Sequence, residues 1–248
     1  MDLLAGYGVP AIIAALLAAF GSAFVRGLTG FGMAILLVPV LALALSPVHA
    51  VLLANFLSLF IGLSEIRRLL REAERSAWFI IAMVVVTTPA GLYLLSITTP
   101  AIARVVIAFI ALSAFLAILL PRRGALDHHP ATTGSVGILS GLMTGYAGMP
   151  GPPVVPYYVG RNIPRETAKA SMLLIFTCAS ATGLASGAAI GLLDWRLALL
   201  AALLFPAVLL GNRLGDRVSG RIADRPWRIC VGAVLGAAAL AALIKALG

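Results

Sequence analysis

Two halves of this chain repeat one another at a fixed interval, and any fold it adopts must accommodate that doubling. Pro39, Pro47, Trp78 and Pro89 recur as Pro156, Pro164, Trp195 and Pro206, each displaced by 117 residues. A glycine-rich break precedes each series. It reads Gly27-Leu28-Thr29-Gly30-Phe31-Gly32 in the first half and Gly145-Tyr146-Ala147-Gly148-Met149-Pro150-Gly151-Pro152-Pro153 in the second, at a shift of 118. Duplication with interrupted apolar segments at corresponding places is a sequence mark of secondary transporters.

Composition says which solvent these segments meet. The 248 residues are 61% hydrophobic and 11% charged, with a mean hydropathy of +1.07. A soluble domain carries about 25% charged residues, so lipid must cover most of this surface. The net charge of +9 belongs to basic residues in short loops, which reads as a topology signal and not as nucleic-acid affinity. Cys178 and Cys230 lie inside apolar runs as small core residues, and His128 and His129 have no ligand cluster around them. The first apolar run lacks a basic leader, carrying Asp2 instead. It is expected to stay as a membrane helix.

Five apolar pieces are expected per half: 8–26, 33–46, 48–66, 77–96 and 101–120, then 131–146, 150–160, 165–191, 195–212 and 227–247. The second piece of each half extends only roughly 17–21 Å as a helix, short of a hydrocarbon core of about 30 Å. Each is therefore a half-helix or a re-entrant arm. If the loop with Arg67, Arg68, Arg71 and Arg75 is cytoplasmic and sides alternate, 15 of the 18 basic residues fall inside. That asymmetry is strong. Five pieces make an odd number, so the second half enters from the opposite face with both termini outside. The expected fold is all-α and polytopic: two inverted repeats, 1–120 and 131–248, joined by the linker 121–130, with about eight full spans and two short broken segments. A shallow V at each break fits the same loops, so the depth of the breaks stays open.

The breaks are the leading candidates for chemistry. In lipid, freed backbone groups must face protein or a watery cavity, and a helix starting there aims N–H groups and a positive dipole end at it. This selects Gly27, Thr29, Gly30 and Gly32 in one half and Gly145, Gly148, Pro150, Gly151 and Pro152 in the other. Arg26 abuts the first break; deep in the bilayer it would cost about 2.5–3.5 kcal/mol and imply a partner, whereas nearer the surface it is a cytoplasmic anchor. Asn55, Ser171 and Thr177 are polar candidates inside spans, beside Ser58, Ser64 and Ser180. Single hydroxyls often satisfy their own helix instead. The glycine ladders Gly137/Gly141/Gly145, Gly183/Gly187/Gly191 and Gly232/Gly236 suit close helix packing, within one chain or across a dimer seam.

With these features in place, the duplicated layout, both breaks, the Gly151-Pro152-Pro153 run and the stretch from Pro164 to Ser171 resemble the TauE/SafE family of sulfite and organosulfur-anion exporters over nearly the whole chain. The resemblance implies a multi-pass transporter of the bacterial inner membrane that moves sulfite, sulfoacetate or a related small anion. It carries the glycine-break positions over as the substrate site. The implied partners are a small anion, the bilayer and a coupling ion (proton or sodium), with a homodimer open and no nucleic acid; no cofactor, metal or catalytic residue is implied. A channel on the same duplication, or a membrane-embedded enzyme, are the alternatives. The enzyme lacks a clustered nucleophile, base or metal set in this sequence.

Overall fold

The computed structural model describes residues 9–29, 31–119, 129–218 and residue 244. Among these residues there are nine helices and no strand: α1 (Val9–Thr29), α2 (Met33–Ala44), α3 (Pro47–Glu72), α4 (Arg75–Ile97), α5 (Pro100–Leu119), α6 (Pro130–Ala147), α7 (Gly151–Val159), α8 (Arg165–Ala189) and α9 (Trp195–Val218). They follow nine of the ten expected pieces. The tenth, 227–247, lies outside the described residues except at residue 244, as do Cys230, the Gly232/Gly236 pair and the linker up to His128. Four helices, α3, α4, α8 and α9, are long and apolar enough to cross a membrane. The side chains of Val86, Phe109 and Leu17 stand about 70% exposed on the outer faces, a surface that only lipid can cover at low cost.

Helix starts follow local chemistry. Pro47 opens α3 behind Ser46, whose hydroxyl oxygen accepts the His49 N–H at 3.2 Å. Pro130 opens α6 behind His129, and Pro164 precedes α8. Proline suits these positions because its fixed φ is helical and its missing donor would be unpaired there anyway. The recurring residues take matching places: Pro39 and Pro156 lie inside α2 and α7, Pro89 and Pro206 inside α4 and α9. Trp78 and Trp195 stand exposed in the first turn of α4 and α9, as membrane-interface tryptophans do.

The helices pair across the two halves. α1 lies along α9, α4 along α6, and α3 against α8, with further contacts of α4 on α8 and α3 on α9. Glycine lets these backbones close. A Cβ at Gly137, Gly141 or Gly145 would strike Met83, Thr87 or the Thr88 carbonyl of α4, and one at Gly27 would strike the Asn212 carbonyl of α9. On α8, Gly183 and Gly187 receive Asn55 and Leu52 of α3. The ladder on α6 and the Gly183/Gly187 pair of α8 are thus occupied within the chain, while Gly191 lies past the end of α8 with nothing within 4 Å of its Cβ position. Replacing Gly145 with alanine should test this. Alanine favours a helix by about 1 kcal/mol, but a methyl forced onto an unyielding backbone costs more. The expected net loss is about 1–2 kcal/mol, read as a lowered unfolding midpoint in detergent. An unchanged midpoint would contradict the close approach.

α7 does not run onward from α6 but folds back beside it. The Tyr157 hydroxyl lies 2.9 Å from the Thr133 hydroxyl near the start of α6, while Gly148–Pro150 joins the opposite ends of the two helices. With nine residues, α7 rises only about 14 Å. The joining residues Gly148, Met149 and Pro150 are all buried. The second break therefore lies inside the protein, at the apex of a hairpin.

Candidate anion site between two helix breaks

The two breaks come together on one cavity of about 40 Å³, enough for a compact oxyanion. Gly32, Met33, Ala34 and Ile35 line it from the start of α2, and Met149, Pro150 and Gly151 from the start of α7. Gly32 adopts φ 95° as the N-cap of α2, a left-handed backbone open to glycine at little cost. It supplies no side-chain cap, so the first N–H groups of α2 remain available at that end. At α7 the prolines at 152 and 153 remove two such donors, leaving the Gly151 N–H and the helix dipole. The two helix ends are therefore unequal donors.

Arg26 supplies a full charge. It lies in the last turn of α1, 8% exposed, and lines the cavity. Its Nη1 is buried without a hydrogen-bond partner, a costly condition for a guanidinium. Ser58 of α3 and Thr177 and Ser180 of α8 add hydroxyls. Thr177 Oγ1 donates to the Leu173 carbonyl at 2.8 Å, which leaves it only acceptor capacity. Phe31, Met33, Ile35, Met149 and Phe176 form an apolar wall. Arg26 also lines a second, polar space of about 290 Å³, a vestibule beside the first, so it borders both. One buried cation, free backbone donors and hydroxyls around a small void suit an oxyanion.

The chain matches the sulfite exporter TauE/SafE family over residues 14–242. It belongs to that family. The match includes both breaks and every element around the cavity. No curated protein and no solved structure matches. This TauE/SafE protein is accordingly a multi-pass membrane protein of a transporter family, and its family relates it to sulfite and similar anions.

Of the residues singled out from sequence, Arg26, Gly32, Pro150, Gly151 and Thr177 line the TauE/SafE cavity. Pro152 follows in the first turn of α7. Gly148 caps α6 with φ 67°, its N–H bonding the Thr144 carbonyl at 2.8 Å. Gly27 and Gly145 serve as helix contacts, to α9 and α4. Asn55 is 1% exposed and packs on Gly183; its Nδ2 has no partner. Thr29 ends α1, but its side chain and all of Gly30 lie outside the described residues.

Ser171 stands elsewhere, in a polar clasp around Arg161. The Arg161 side chain is 4% exposed and ion-paired with Glu74. It also donates to the Ser76 hydroxyl at 2.9 Å and to the Tyr157 hydroxyl at 3.0 Å, and lies 5.1 Å from the Tyr157 ring centroid. The Ser171 hydroxyl accepts the Glu74 N–H at 2.8 Å and donates to the Thr167 carbonyl at 2.7 Å. The clasp ties the end of α7 to the starts of α4, α6 and α8. In sequence Arg161 and Glu74 look like ordinary loop charges. Their signal would have been a basic residue just past a half-helix too short to reach water unaided.

Proposed function

We propose that this protein is a secondary transporter that moves a small oxyanion, of the sulfite, sulfonate or small carboxylate class, across the bacterial inner membrane by alternating access. The observation that carries the reading is the cavity where both breaks meet an arginine with an unpartnered nitrogen. We read residues 1–120 and 131–248 as inverted repeats joined by 121–130. Supporting this, exchanging the halves turns the α1–α9 pair into the α6–α4 pair and leaves α3–α8 facing itself. Under that symmetry α1–α2 and α6–α7 are two hairpins entering from opposite sides, with their apices on one cavity inside the protein. Rocking one half against the other would then expose the cavity to each side in turn.

Reconstituted protein should give saturable flux of sulfite, methanesulfonate or acetate, with accelerated exchange when the same anion is present on both sides. Flux that never saturates, with single-channel conductance, would make it a channel instead. Absence of both flux and binding across the panel would remove the reading altogether.

A further inference from the structure

Arg26 faces a second space, and that space contains competitors for its charge. The vestibule is lined by Glu65 and Arg68 of α3, Lys169 of α8, and Asn212 and Asp216 of α9. Each carboxylate has its own rim cation: Arg68 pairs with Glu65, and Lys169 Nζ lies 3.9 Å from Asp216 Oδ1. Asn212 Nδ2 donates to Asp216 Oδ2 at 3.3 Å. The backbones of α1 and α9 touch here, since a Cβ on Gly27 would sit 2.8 Å from the Asp216 nitrogen. Both carboxylates line the same space as Arg26, yet its Nη1 is hydrogen-bonded to neither. They attract it across the vestibule without occupying it.

A carrier must release its cargo as well as bind it, so a site that is too favourable stalls turnover. A buried guanidinium facing an oxyanion in low dielectric would be such a site. We propose that Glu65 and Asp216 are internal counter-ions that compete with the transported anion for Arg26, and so set how readily the anion leaves the cavity for the vestibule. This rests on the cavity being the anion site. When the cavity is empty, the carboxylates offset the charge of Arg26. When an anion enters, it takes up the Arg26 donors that neither carboxylate bonds, while Glu65 stays with Arg68 and Asp216 with Lys169. Release reverses the exchange, with no covalent step.

The test is sulfite titration of the full chain in detergent by calorimetry, with methanesulfonate as a second probe. Glu65→Gln and Asp216→Asn should each lower Kd about threefold to tenfold and slow efflux from proteoliposomes. Lys169→Met should raise Kd, because Asp216 loses its rim partner and turns to Arg26. Glu166→Gln makes the same charge change at an exposed carboxylate 4.0 Å from Arg68, and should leave Kd unchanged. In an Arg26→Met background the differences between these variants should vanish. Equal tightening by Glu166→Gln, or persistence of the effects without Arg26, would reduce the result to bulk charge and overturn the proposal. So would unchanged Kd in Glu65→Gln and Lys169→Met, which probe the two counter-ions even if Asp216→Asn fails to fold. Wild-type protein that binds neither probe would remove the transport reading and this proposal with it; normal wild-type binding with indifferent variants removes this proposal alone.

Discussion

Arg161→Leu should destabilise the folded protein by about 3–5 kcal/mol, measured as reversible unfolding in detergent. The substitution removes a cation whose side chain is 4% exposed and leaves the Glu74 carboxylate, itself only 25% exposed, without its partner. The hydroxyls of Ser76 and Tyr157 lose the Arg161 bond in the same step, keeping Tyr158 and Thr133 as partners. Such a loss exceeds the net worth of the pair, because it includes desolvation of the charge left behind. Arg161→Lys should fall between, keeping the charge but not the planar fork that reaches Glu74, Ser76 and Tyr157 together. The functional consequence runs through α7. With its tie to α4 weakened, α7 holds the apex at Met149–Gly151 less firmly beside the cavity, and anion affinity should fall with stability. A loss below about 1 kcal/mol, the scale of an exposed pair, would show that the clasp does not anchor the hairpin.

Arg26→Met should reduce anion affinity about 100-fold or more while leaving the protein folded. Two charge-assisted hydrogen bonds contribute about 1.5–3 kcal/mol each, and each 1.4 kcal/mol is a factor of about ten. Folding should survive because the substitution deletes a buried charge instead of stranding one, and methionine fills much of the same apolar path. Arg26→Lys should recover part of the affinity but not the two-point grip on an oxyanion. Retained affinity and flux in Arg26→Met would return Arg26 to the role of an anchor.

Much of this fold is legible in the sequence, because the signals are local. Glycine and proline mark the breaks through backbone geometry alone, and α2 and α7 begin at Met33 and Gly151, where the spacing places them. Helix ends in water are less legible. α3 continues to Glu72 and α9 to Val218, each six residues past its expected limit. Hydropathy marks where the bilayer stops, whereas the helix runs on, supported in α3 by pairs such as Glu65 with Arg68. The clasp is not legible because Arg161 and Glu74 lie 87 residues apart, and no local pattern joins them. Ser171 is visible as a polar residue in a span, but only the packing of α8 on α4 shows that its hydroxyl meets Glu74. Arg26 sits beside a break in sequence; the fold adds the cavity on one side of it and two carboxylates on the other.

Transport by this route requires an oxyanion at the meeting point of the two breaks. Selenite has the shape and charge of sulfite and scatters X-rays anomalously, so crystals grown with it locate the ion without interpretation of weak density. We expect one anomalous peak between the starts of α2 and α7, within hydrogen-bond distance of Arg26 and lost in Arg26→Met. A peak elsewhere with the cavity empty, or one that persists without Arg26, would contradict it.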